Sequence, residues 1–209
     1  MGTVAEDRKR LGRPADADSA ETRARIVNHA QELFGAEGFE ATTNKRIADL
    51  AGVSSAALYH YFPSKADIYV AVCDAILESF ERAFKEVSDC SRLLSERLRA
   101  IVESNVEMGR SSRSTLGFVA SLPMVVRKHP EVKEGIEHFT QSFRAMVVSM
   151  VETSEDADVV LRGTSVPAFS DLVVLVLSGM GRLGASGSRE RQEGAADAFL
   201  RLILPGSAS

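Results

Sequence analysis

The chain of 209 residues has no tryptophan, two cysteines and four histidines, and each scarcity closes off a chemistry. Cys73 and Cys90 stand 17 positions apart, with no further Cys or His at ligand spacing beside them. Neither a zinc cluster nor a disulfide framework can be built from that pair, so both are read as small buried hydrophobes. His29, His60, His129 and His138 are scattered along the chain, and no Ser-His-Asp set can be assembled from the pattern. Gly181-Arg182-Leu183-Gly184 lacks the preceding strand that a phosphate-binding loop needs. These absences predict a protein that is not an enzyme and takes no metal or cofactor.

Long apolar runs are missing as well. A membrane span needs about 18 consecutive apolar residues, whereas Leu172–Leu177 offers six. The opening segment, MGTVAEDRKRLGRPADADSAE, has no apolar stretch of the secretory type. The expectation is a soluble, cytoplasmic chain with no membrane partner. Its 44% hydrophobic content is ample for a packed core.

The net charge of −4 hides an uneven distribution. Residues 1–66 hold nine Lys/Arg and nine Asp/Glu, and the remainder holds sixteen and twenty. Screening confines exposed charges to about 8–10 Å, so local clusters matter more than the sum. Arg8, Lys9, Arg10 and Arg13 form a basic arm, while Lys45, Arg46 and Lys65 lie around a compact helical segment. A locally basic head on an acidic body is compatible with nucleic-acid binding.

That segment is TTNKRIADLAGVSSAALYHYFPSK, Thr42 to Lys65. A first helix begins near Ser19 and carries Ile26, Ala30, Leu33 and Phe34 on one stripe at helical period, with Gly38 placed to end it. Thr43 is an N-cap for a second helix, Asn44–Ala51. Gly52 permits a sharp turn, Val53 plugs the angle and Ser54 caps a third helix that Pro63 stops. Leu58 and Phe62 face inward, leaving Ser55, Ala57, Tyr59 and His60 outward. A short helix of small residues held out by a turn suits a DNA major groove about 12 Å wide.

With Thr22, Ile26, Ala30, Phe34, Gly38, Phe39, Thr42-Thr43, Ile47-Ala48, Ala51-Gly52-Val53-Ser54, Leu58-Tyr59, Tyr61-Phe62 and Lys65 in register, the head resembles the TetR family of bacterial repressors. The resemblance implies that Thr43 caps the second helix and touches a phosphate, and that Lys45 or Arg46 contacts backbone. It places Ser54 and Ser55 at the groove edge, Ala57 at base edges, Tyr59 and His60 on phosphates and Lys65 on the flanking backbone. Arg8–Arg13 resembles the arms with which some members reach the minor groove. Where many relatives have a basic residue followed by glycine, this chain has Ser55 and Ala56. A bidentate Arg–guanine contact from within that helix is excluded, leaving hydroxyls, alanine–thymine methyl contacts and DNA shape.

Beyond the head, a capping pair at Ser64 and Asp67 opens a long helix through about Asp89. Further helices are read near 91–110, 114–127, 131–153, 167–185 and 189–204. The fold class is all-α with about nine helices. Its parts are a basic arm (1–18), a helix-turn-helix domain (19–65) and a helical ligand-binding and dimerisation domain (66–209). Leu172–Leu177 is apolar on all sides, which periodicity alone does not separate from a buried strand, and its helical context favours helix. The resemblance implies that the last two long helices pair with their copies in a homodimer, matching a palindromic double-stranded DNA operator.

The body of such proteins generally encloses a small-molecule site. Its candidate lining is Asn105, Met108, Phe118, Met124, Phe139, Phe143, Met146 and Phe169, with His138, Gln141 and Arg144 as further polar anchors. Methionine-rich interiors adapt their shape, and with no tryptophan to offer a flat platform the effector expected is apolar and of modest size. The leading reading is a ligand-responsive homodimeric repressor. The alternative is a constitutive or architectural DNA-binding protein whose interior takes no ligand.

Overall fold

The computed structural model describes residues 15–204, so Arg8, Lys9, Arg10 and Arg13 lie outside the described residues. Ten α-helices and no strand make up the described chain: α1 (Ala15–Glu37), α2 (Asn44–Ala51), α3 (Ser55–Tyr61), α4 (Lys65–Cys90), α5 (Leu94–Ser111), α6 (Arg113–Lys128), α7 (Lys133–Glu152), α8 (Ala157–Leu161), α9 (Val166–Ala185) and α10 (Arg189–Ile203). One 3₁₀ turn at Pro130–Val132 leads into α7. The all-α class is as expected, with one helix more than the sequence announced. The extra α8 is a single turn, too short to display a period.

Local chemistry explains the head. Gly38, at φ 86°, ends α1, and Thr42 Oγ1 donates back to its carbonyl at 2.9 Å. Thr43 Oγ1 accepts the Arg46 N–H at 3.3 Å, capping α2. Gly52 turns the chain at φ 68°, a left-handed conformation that L side chains rarely adopt. Ser54 Oγ then accepts the Ala57 N–H at 3.1 Å to start α3. Ser64 and Asp67 form the reciprocal capping box at the start of α4.

Ile26, Ala30, Leu33 and Phe34 of α1 are buried with Ile47, Ala48, Leu58 and Phe62 of α2 and α3. This buried cluster runs without a break into Ile68, Tyr69 and Val72 of α4, Phe118 and Leu122 of α6, and Ile136 and Phe139 of α7. At its centre Tyr69 meets Phe34, Phe39 and Phe118 at centroid separations of 5.1, 5.2 and 4.5 Å. At Gly35 and Gly117 helix α6 presses on α1 without intervening side chains. A Cβ on Gly35 would fall 2.0 Å from the Ser114 carbonyl oxygen, and one on Gly117 would fall 2.4 Å from the Gly35 carbonyl oxygen.

A second buried cluster fills the far end of the body, drawing on α4, α5, α7, α8, α9 and α10. Arg97 is buried there without a carboxylate partner among the described residues. It donates instead to the carbonyls of Ser88, Ser91 and Met150 and to the hydroxyls of Thr153 and Ser154, joining α5 to the ends of α4 and α7. Asp156 accepts from the Ser95 backbone N–H and hydroxyl and from the Leu94 backbone N–H, so it caps α5 from across the fold. Burial pushes its carboxyl upward, but those hydrogen bonds outweigh it and the net shift is downward.

The cysteines divide. Cys73 is buried, and burial raises its thiol to about 12. Cys90 is exposed, a correction to the reading of both as buried. Its position at the C-terminus of α4, next to the cap at Ser91, turns it to solvent.

Replacing Arg97 by methionine keeps the packed stem but leaves several buried acceptors unpaired. Stability in urea denaturation should fall by about 2–4 kcal/mol. A loss below about 0.5 kcal/mol, the range of an ordinary surface substitution, would contradict the role given to it.

Candidate nucleic-acid interface and interior cavity

Helix α3 is held from behind and bare in front. Leu58 and Phe62 are buried and Tyr61 is partly buried on the same core, while Ser55, Ala56, Tyr59 and His60 are exposed. Tyr59 has 52% of its surface open, too much for a packing residue. Ala57, expected to point outward, is half-buried, and Ala56 is the alanine more open to solvent. The outward face of α3 carries hydroxyls, methyls, a phenol and an imidazole.

Fixed charge lies beside that helix. Lys45 is exposed and makes no hydrogen bond or ion pair among the described residues, whereas Arg46 pairs with Glu37. Thr43 and Ser54 spend their oxygens as caps but keep their hydroxyl hydrogens for an outside acceptor. Arg23 stacks over the Phe62 ring at 5.0 Å, bracing α3 against α1.

Lys65 departs from its expected place on the DNA backbone. Its ammonium turns inward and donates to the carbonyls of Phe39 at 2.8 Å and Thr42 at 3.1 Å, lying 4.3 Å from the centroid of the Phe39 ring. Burial lowers its pKa, opposed by the charges of Glu40 and Glu131. Lys65 therefore ties the start of α4 to the turn between α1 and α2. Next to it, His129 packs against Phe39 at 4.5 Å and Glu40 pairs with Lys128 at 3.2 Å. Hydrogen bonding from Lys128, followed by its charge, holds the Glu40 carboxyl below its ordinary value.

The body contains two apolar lobes that meet at a shared wall. The first, about 140 Å³, is lined by Leu116, Val119, Ala120 and Pro123 of α6, Phe139 and Thr140 of α7, and Val174, Ser178, Gly181 and Arg182 of α9. The second, about 160 Å³, is lined by Ala83 and Phe84 of α4, Ile101, Ser104 and Met108 of α5, and neighbours. Phe80, Asn105, Phe143 and Leu177 line both. Pro123 lies inside α6 and has no N–H, so the Val119 carbonyl lacks its usual helical donor. Asn105 Nδ2 donates to the Leu177 carbonyl at 3.3 Å, and the Asn105 carbonyl and Oδ1 accept from Gln192 Nε2 at 3.0 and 3.3 Å.

Of the anticipated lining, Asn105, Met108, Phe139 and Phe143 stand at these lobes. The other four do not. Phe118 is sealed in the cluster with Phe34 and Tyr69, and Phe169 is sealed in the far core. Met124 is 62% exposed beside Phe39 and His129, and Met146 borders an outer groove between α4 and α7. His138 and Gln141 are exposed, and Arg144 pairs with Asp171 at 2.5 Å. The α6 and α9 residues were missed because each reads as ordinary core stripe; only the gap between helices distinguishes them.

A capped tri-helical head, a bare reading helix and a helical body with interior lobes define the class of helix-turn-helix DNA-binding regulators. The family model for bacterial regulatory proteins of the tetR family matches residues 26–72. The RutR regulator of Escherichia coli K12 is 35% identical over 122 residues, covering 56% of this chain and 57% of that protein. The KstR2 repressor of Rhodococcus jostii is 30% identical over 107 residues, covering 50% and 52%. The chain thus spans little more than half the length of these curated relatives. Among solved structures, a TetR-family regulator from Agrobacterium tumefaciens superposes with a TM-score of 0.76 at 16% identity, covering 88% of this chain and 98% of that one. At such identity the likeness speaks for the fold alone. The head of this chain, residues 26–72, thus matches the TetR family model, and the relatives it matches are transcriptional regulators.

Lys65→Met should cost about 1–3 kcal/mol in urea denaturation, through two carbonyls losing a charged donor. The salt dependence of DNA binding should keep its slope, since no phosphate contact is lost. A slope smaller by about one would return Lys65 to the DNA backbone.

Proposed function

We propose that the protein is a homodimeric transcriptional repressor, acting in the cytoplasm, that a small effector releases from a palindromic double-stranded DNA operator. The observation that carries this reading is the double duty of α6. One face holds Gly117 and Ser114 against α1 of the head, and the other lines the first lobe with Leu116, Val119, Ala120 and Pro123. An effector that fits one position of α6 better than another shifts the head by its differential affinity for the two states. Interior lobes with few polar groups favour this over a constitutive DNA-binding protein.

On the DNA, Ser54, Ser55, Ala57 and the exposed Ala56 approach base edges, Thr43, Lys45, Tyr59 and His60 take phosphates, and the arm at Arg8–Arg13 adds charge. Arg46 is partly neutralised by Glu37 and contributes less. Two heads are brought together through α9 and α10. The most apolar 18-residue window of helix α9 has a mean hydropathy of 1.5, and only 33% of it is buried by its own chain. Leu175 and Leu202 are 70% and 75% exposed. A second copy supplies the missing cover.

Mobility-shift titration on the DNA adjoining the protein's own gene, repeated with hydrophobic and amphipathic metabolites, tests the main claim. A specific shift lifted by at least one compound is expected. Lys45→Ala should reduce the slope of log affinity against log salt by about one per protomer, uniformly across sequences. A shift that no compound lifts would replace the sensor by the constitutive protein.

For the dimer, Leu175→Glu combined with Leu202→Glu should convert a sedimenting dimer to a monomer at micromolar concentration, with helicity unchanged. A doubly substituted protein that still sediments as a dimer would place the interface elsewhere.

A further inference from the structure

We infer that the effector is an amphipathic carboxylate, its charged end on Arg182 and its apolar body lying in the two lobes. This rests on the proposal that the interior lobes receive an effector, and it specifies the chemistry of that compound.

Charge is distributed asymmetrically around the lobes. Neither is lined by an aspartate or glutamate, and Arg182 is the single ionic residue of the combined lining. Arg182 is exposed, and its side chain makes no hydrogen bond or ion pair among the described residues. Arg144 of α7, by contrast, is held by Asp171 of α9 and has no charge to spare. Ser178 lies one turn before Arg182 on the same face of α9 and lines the same lobe. A guanidinium and a hydroxyl therefore converge on one end of the first lobe. Guanidinium geometry suits a carboxylate, whose two oxygens it can engage in parallel.

The other end is apolar. Leu177 belongs to the wall between the lobes, and a rise of about 1.5 Å per residue puts Arg182 about 8 Å further along α9. Past that wall the second lobe carries Ile101, Met108, Ala83 and Phe84, with Ser79 and Ser104 as its own neutral polar groups. Asn105 at the wall already spends its amide on Leu177 and Gln192. At about 30 Å³ per water-sized group, the two lobes together take roughly ten non-hydrogen groups. A neutral hydrocarbon would fill that space without engaging Arg182, and a cation would be repelled there.

Isothermal titration calorimetry with octanoate, octanol and octylammonium reads the distinction directly, with phenylbutanoate separating a ring from a chain within the same class. Octanoate should bind about tenfold tighter than octanol through its charge-assisted contact, and octylammonium weakest of the three. Arg182→Gln should bring octanoate down to the affinity of octanol while leaving octanol unchanged, and Arg182→Lys should retain part of the preference. Equal affinity of octanoate and octanol overturns the proposal, as does an unchanged octanoate affinity in Arg182→Gln or no octanoate binding at all. In each of those outcomes the effector-release reading survives if a neutral or cationic compound of the metabolite panel lifts the DNA shift. It falls separately, if none does.

Discussion

The fold hangs on a place where two helices meet with nothing between them. At Gly35 and Gly117 the backbones of α1 and α6 touch, and a methyl group on either would collide with a carbonyl of the other. Most helix pairs are separated by side chains that can change rotamer and absorb a small movement. Here that compliant layer is missing, and the packed aromatic group of Phe34, Tyr69 and Phe118 closes the contact from beside it. The head therefore does not ride loosely on the body. Its position is set by α6, and α6 also walls the first lobe.

A polar junction borders the same cavity. Gln192 of α10 is buried between α5 and α9, where a Cβ on Gly109 or Gly184 would run into its side chain. Its amide donates to Asn105, which in turn donates to the Leu177 carbonyl. Buried amides are stable only when partnered, so these three groups specify one another's positions. Asn105 faces the lobes, Leu177 belongs to α9 and Gln192 to α10. A compound entering at Asn105 thus meets, through two hydrogen bonds, the helices proposed to join two copies.

How much of this could be read in the sequence follows from how local each feature is. Thr43, Gly52, Ser54 and Ser64 act on nearby backbone, so the limits of α2 and α3 and the start of α4 were legible almost to the residue, whereas α1 begins at Ala15 rather than near Ser19. Long helices of the body were legible from their period, though the single turn of α8 was not. Site lining was legible only in part. Phe118 and Phe143 occupy equivalent positions on apolar stripes, yet one is sealed against Tyr69 and the other faces a gap. What separates them is how neighbouring helices fail to fill space, a property of no single segment. Lys65 makes the same point for charge: its residue type suggested DNA, and the register of α4 turned it onto Phe39 and Thr42.

The bare chemistry of α3 gives the proposed release mechanism its leverage. With Ser55 and Ala56 where a basic residue and glycine are common in relatives, that helix has no Arg or Lys to grip guanine bidentately in the major groove. Affinity on this reading comes mainly from phosphate contacts, which carry no sequence information directly. Discrimination then depends on small contacts made by both heads at once, and so on the spacing and angle between them. In the proposed dimer, spacing is set by α6 seated on α1 and by the pairing of α9 and α10, and of these elements α6 and α9 wall the lobes. A reader with strong contacts in each head could tolerate a small change of spacing. One that reads weakly cannot, so a modest movement of α6 is sufficient to release it.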